Sequence, residues 1–352
     1  MRHNTKYLAA IMAMAALLSC SKTEEPQDGQ IAFGSDLIVT KASPIINNTA
    51  QLRTLNKIYA YGKQGSSVIF NNAELSFNSS TSKWMPSTSK TWVTNTAYTF
   101  WGWAYSPSTA TSNTAANGKL TVSGNGTTFT VNQPSSYIEE NMVDLLLSYK
   151  VNVSEEESTH RPLVQLHMEH AMPMVDIYAV KASGIESAIV DQLTLSNVYN
   201  SATYTINTHH VNGAVTETNN IWQVAFTAGS QQNTVYELND TFDPTTATGG
   251  YEVAVEEENT EATMHIMTVA QPISLNTTLY IHYWVNEKVA GGEDNYVEHE
   301  ATFRLSDSVY GLSRWKNGCR TIYRITIDTG IHLSAQIKEW THIDYIEGTL
   351  LP

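Results

Sequence analysis

The segment Ile331-His332-Leu333-Ser334-Ala335-Gln336-Ile337-Lys338-Glu339-Trp340 alternates: Ile331, Leu333, Ala335 and Ile337 fall on one face, with Gln336 and Lys338 opposite. A two-residue period belongs to a β-strand with one buried face and one wet face, because successive side chains leave a pleat on opposite sides. Working outward, runs of Val, Ile, Thr, Tyr and Phe recur, bounded by Gly, Asn, Asp and Ser clusters. They predict strands near residues 31–39, 57–61, 68–70, 75–77, 98–105, 192–198, 202–206, 222–226, 264–269, 279–285, 296–305 and 321–328. Residues 119–131 read as a hairpin turning at Gly124-Asn125-Gly126. Residues 163–180 read as one long strand or a bulged pair with Pro173 at an edge or bulge, and residues 139–149 suit helix or strand. In the strand at 57–61, Ile58 and Ala60 share one face and Tyr59 and Tyr61 the other. Trp101 and Trp103 also share a face and read as core. No long segment holds a helical apolar period, so the fold class is all-β, arranged as two sandwiches.

The chain has 352 residues, 41% hydrophobic and 15% charged, with a formal net charge of −14. This length suggests two domains, since single cores rarely grow beyond ~250–300 residues. The polar, Pro-terminated stretch 154–162 is the best interdomain linker, giving an N-terminal domain at 31–160 and a C-terminal domain at 161–352. The aromatic set of 8 Trp, 18 Tyr and 8 Phe favours strands, which such side chains fit. The acidic balance argues against a nucleic-acid partner, which would need clustered Lys and Arg. One distribution stands apart: no Lys or Arg occurs between Lys181 and Lys288.

The N-terminus reads as an address. Arg2, His3 and Lys6 precede an apolar run at residues 7–18, too short for a membrane-spanning helix. Leu17-Leu18-Ser19-Cys20 resembles the bacterial lipobox, which makes residues 1–20 a lipoprotein signal peptide and Cys20 the acylated first residue. With Cys20 lipidated, only Cys319 is left, and no intramolecular disulfide can form. Residues 21–30 are polar and read as a flexible tether.

Tests for chemistry return little. His167 and His170 lie three apart, so on a strand they point to opposite faces and do not converge on a metal. His209-His210 has the same defect. Asn239-Asp240 and Asp243-Pro244 lack calcium-loop spacing and suit Asx turns better. Glu256-Glu257-Glu258 reads as a charged edge that resists sheet aggregation. Zincin, nucleophile-elbow, phosphate-loop and dinucleotide signatures are absent from the sequence. The reading is of a protein that is not an enzyme, with no cofactor and no metal site.

Several segments resemble the fimbrillin family. They are Met142-Val143-Asp144-Leu145-Leu146, the apolar strand from Val164 to Ile177 carrying His170-Ala171, and the closing pattern Trp315, Gly318, Tyr323-x-Ile325-Thr326-Ile327 and Trp340. Ile58-Tyr59-Ala60-Tyr61 and Phe100 to Pro107 are similar to strands of that family's first domain. Pro173 departs from the pattern, where a residue able to donate a ladder bond is usual. The resemblance implies two transthyretin-like Greek-key β-sandwich domains and a subunit of a type V fimbria on the cell outer membrane. Lys22, Glu24 and Glu25 also look like the acidic export signals of surface lipoproteins in the Bacteroidota. It further implies that a trypsin-like or Arg-specific protease removes the lipidated N-terminal segment with the first strand, and that a strand from another fimbrial subunit takes its place. Here the displaced strand would carry Ile31, Phe33, Leu37 and Val39, with cleavage at Arg53 or, second, Lys41. The gap in Lys and Arg from 181 to 288 would spare the C-terminal part from such a protease. Alternatives are an uncut anchor subunit, or a monomeric surface lipoprotein that binds glycan or host protein through Trp84, Trp92 and Trp222.

Overall fold

A computed structural model describes residues 29–37, 52, 57–106, 120–137, 142–206, 209–210, 222–226, 234–255, 262–287, 292–307, 312–328 and 331–339. The first half contributes β1 (Phe33–Leu37), β2 (Ile58–Gln64), β3 (Ser67–Asn78), β4 (Lys83–Pro86), β5 (Tyr98–Ser106), β6 (Leu120–Ser123), β7 (Thr128–Asn132), β8 (Asp144–Ser148) and β9 (Lys150–Val153). A single turn of helix, α1 (Glu155–Thr159), leads to β10 (Val164–His170). Among the described residues the fold is all-β apart from such short turns.

The hydrogen-bonded order β5-β2-β3-β4-β1-β10-β8 returns on itself, because β8 also pairs with β5. Closing a sheet in this way removes its edges. One face of these strands meets in a single core that includes Ile31, Phe33, Ile58, Phe70, Phe100 and Leu166. On β2 and β5 the opposite face is buried too. Tyr59 stacks on Trp103 at 4.4 Å and Tyr61 on Trp101 at 5.7 Å, and these rings belong to a second core. The alternation read in the strand at 57–61 and the shared face of Trp101 and Trp103 are both found.

The hairpin at β6 and β7 turns where the sequence put it, with Gly124, Asn125 and Gly126 all at positive φ. Gly126 is required twice over: its φ is +74°, and a Cβ there would lie 2.0 Å from the Tyr61 ring. The polar stretch at 154–162 contains α1. Ser154 caps it, accepting from the Glu157 N–H, while the Glu157 carboxylate accepts from the Ser154 N–H. The next strand, β10, pairs back into the first sheet against β1 and β8.

The rest of the chain forms β11 (Met174–Lys181), β12 (Ala188–Val198), β13 (Ser201–Ile206), β14 (His209–His210), β15 (Trp222–Phe226), β16 (Thr234–Asn239), β17 (Tyr251–Glu252) and β18 (Met264–Met267). After them come β19 (Gln271–Pro272), β20 (Thr278–Asn286), β21 (Tyr296–Arg304), β22 (Arg314–Trp315), β23 (Cys319–Ile327) and β24 (Ile331–Glu339). Pro173 falls in the break between β10 and β11, where the chain leaves the first sheet for another, so the 163–180 run is two strands in two sheets. One sheet runs β18-β11-β23-β24 with β11 and β23 parallel, and another runs β16-β12-β20-β21. A third, β15-β13-β7-β6, joins strands from both halves of the chain. β20 shows the rule that builds these layers: Leu279, Ile281, Tyr283 and Val285 are buried, while the residues between them are half-exposed. The buried residues share the core that takes Tyr59 and Trp103.

Candidate functional site: the first strand and its groove

β1 is held unequally on its two sides. Toward β10 it forms a parallel ladder from Phe33↔Val164 to Leu37↔Met168, with the Val164 N–H donating to the Ala32 carbonyl at 3.0 Å. Toward β4 the register contains only Phe33↔Trp84. Just upstream, the Ile31 N–H donates to the Lys90 carbonyl at 2.7 Å and the Trp92 N–H to the Gly29 carbonyl at 2.9 Å.

The side chains of this segment fill the core. Ile31 and Phe33 are fully buried. The Phe33 ring meets Phe70 and Phe100 edge-on, with centroids 5.6 and 5.7 Å away. Trp92 sits nearby against Tyr98 and Phe100, and Trp84 packs on Phe77. Trp84 is 1% exposed and Trp92 6%, so the reading of these two as glycan platforms is corrected: both are core residues. Leu52, immediately before Arg53, is buried in the same core.

Of the residues singled out in sequence, Ile31 and Phe33 are brought together in this core, and Leu37 lies in β1 with its backbone paired to Met168. Val39, Cys20, Lys41 and Arg53 lie outside the described residues, as do Glu256-Glu257-Glu258, and so does the side chain of Trp222. Sequence reading missed Ser35, which is 9% exposed with its hydroxyl oxygen buried and without a hydrogen-bond partner. The two-residue period from Phe33 to Leu37 places it on the inward face, but its neighbour Leu166 comes from a parallel pairing far along the chain that no local signal encodes.

His170 and His265 are each held by a buried carboxylate. His170 lies on the buried face of β10, its Nδ1 2.9 Å from Asp144, while His167 is on the other face. His265 Nδ1 lies 2.7 Å from Asp176, which also accepts from Arg320. Asp243 closes an Asx turn by accepting from the Thr245 N–H and hydroxyl, and these bonds hold its carboxyl below the usual range. Among the described residues, no three His, Cys, Asp or Glu side chains are grouped to hold a metal ion. No described helix is long and apolar enough to cross a membrane.

Fold and site together define an all-β protein of several sheets in which the first strand completes a shared core. The chain matches the fimbrillin-like family model over residues 40–340 and belongs to that family, one of fimbrial structural proteins rather than enzymes. A crystal structure of a fimbrial protein from Bacteroides vulgatus superposes with a TM-score of 0.60 at 16% identity, covering 88% of this chain and 99% of that one. A candidate cell adhesion protein from Bacteroides uniformis aligns at 14% identity and a TM-score of 0.48, over 90% of this chain and all of the other. No curated protein matches.

Proposed function

We propose that this chain is a structural subunit, stalk or tip, of a type V fimbria on the outer cell surface, serving in adhesion. It is exported as a lipoprotein acylated at Cys20. A trypsin-like or Arg-specific protease cuts after Arg53, with Lys41 as the second site, and frees β1. A strand from a neighbouring subunit then enters the groove. In this reading the described strands belong to two transthyretin-like sandwiches, with the removable strand in the first.

The observation that carries the reading is the state of β1: a short strand with a single registered pair to β4, whose buried side chains nevertheless plug an aromatic core. Its loss would leave apolar pockets and unpaired backbone groups on β10, and both demand a replacement. A donated strand meets that demand through main-chain bonds and alternating side-chain pockets. The contact is head-to-tail and need not close, so it extends into a filament. Leu52 supports Arg53 over Lys41, since a cut after Arg53 removes Ile31, Phe33 and Leu52 from the core together.

The test is to treat the purified protein with trypsin and follow its mass and oligomeric state. The reading expects a product starting at Thr54 and heat-resistant oligomers, both abolished by Arg53→Gln with Lys41→Gln. A protein that is cut there and stays monomeric contradicts it.

A further inference from the structure

β1 is an imperfect occupant of the place it fills. Ser35 pairs with Leu166 in the parallel register, between the Phe33↔Val164 and Leu37↔Met168 pairs. Val164, Leu166 and Met168 are buried in one apolar core, and Ser35 projects beside them with its Oγ unpartnered. A buried hydroxyl that makes no hydrogen bond has lost its hydration without recompense, whereas an apolar group at the same point would lose nothing. The residue before it is Gly34, which brings no side chain and weakens a strand through backbone entropy. Main-chain bonds are alike for any strand laid along β10. Preference among strands therefore comes from the side chains that enter the alternate pockets.

We propose that the Ser35 position is the subsite at which an incoming strand outcompetes β1. The occupant that fits is an extended segment of another subunit, with an aromatic or large aliphatic residue at the Phe33 position and an aliphatic residue two positions on, where β1 has serine. The proposal rests on the strand-exchange reading above and adds what the replacing strand must look like. It also gives the exchange a direction: β1 holds the core closed during export, yet is weaker than its successor by the defect at Ser35.

The test uses the full chain with Ser35→Ala, which removes the hydroxyl without adding bulk, and Ser35→Val, which adds apolar volume. Two readouts are taken: the thermal midpoint of the uncut protein, and the rate at which the N-terminal fragment leaves after trypsin cleavage, followed by mass. Both variants are expected to melt at or above wild type, and the Ser35→Val fragment to leave at least ~5-fold more slowly. A lower midpoint for Ser35→Ala overturns the proposal, as does equal or faster release from Ser35→Val. If the wild-type fragment never leaves, the strand-exchange reading fails, and the midpoints still decide whether the Ser35 subsite favours an apolar residue.

Discussion

Phe33→Ala probes whether β1 opens as a unit of its own. The Phe33 ring is fully buried and contacts Phe70 and Phe100 edge-on. Truncating a buried phenylalanine costs about 3–5 kcal/mol through lost transfer energy and the cavity left behind. In a separable strand that loss falls on the local opening that frees it, because sub-global openings have free energies of their own. The opening equilibrium then rises by roughly 10²–10⁴-fold. Hydrogen exchange read by mass spectrometry resolves this by region. Peptides covering residues 29–37, and the β10 amides bonded to β1, should lose protection by that factor. Peptides from β23 and β24, which pair with each other in the sheet where β23 also pairs with β11, should be unchanged. Uniform acceleration in every strand would refute the idea that β1 is separable. No change anywhere would refute the burial on which the magnitude rests.

Three further outcomes follow from the packing. Gly126→Val should destabilise by about 2 kcal/mol or more, because it forces a β-branched residue to φ +74° and drives a Cβ into the Tyr61 ring; chemical denaturation measures it. Asp144→Ala should cost about 1–3 kcal/mol by removing the buried carboxylate that His170 Nδ1 bonds, and a denaturation midpoint equal to wild type would contradict that. His282 lies between Asp191 and Glu298. Burial works against charge on its ring, but the hydrogen bonds and charges of the two carboxylates outweigh it and raise the pKa above the ordinary value. A raised histidine pKa contributes stability that is complete below about pH 6.5 and is lost as pH rises through the folded value. Thermal midpoints measured across that window should therefore fall with pH in wild type and fall less in His282→Gln.

Much of the fold is written locally. The period-two pattern at residues 331–339 is β24, residues 222–226 are β15 to the residue, and the Gly-Asn-Gly turn is where its backbone needs place it. Failures occur where distant partners decide. The segments read as separate strands at 68–70 and 75–77 are one strand, β3, because Asn72 at φ 55° carries a local irregularity through a continuing ladder. The run through Pro173 reads as continuous because both of its sheets are buried, so apolarity does not mark the crossing between them. The two-residue strands β14, β17, β19 and β22 are too short to leave a pattern. The Ser154-x-x-Glu157 capping box is a local signal that starts α1 within the polar stretch 154–162.

The candidate site divides the same way. Ile31 and Phe33 were legible as the inward residues of a first strand, since their spacing and apolarity suffice. Trp84 and Trp92 were not, because short strands and loops gave no sign that Trp92 packs on Phe100 and Trp84 on Phe77 in the same core. Ser35 broke the apolar alternation and so passed unnoticed. Its meaning depends on a ladder to β10 that only the folded chain forms.

The central claim is that the N-terminal segment is removed on the way to a filament. The most direct test takes protein from sheared surface filaments and from the membrane fraction, and determines its N-terminal residue and intact mass. The account expects filament material to start at Thr54, or at Ala42 if Lys41 is the site used, with no lipid attached. Acylated Cys20 at the head of the chain in both fractions would contradict it.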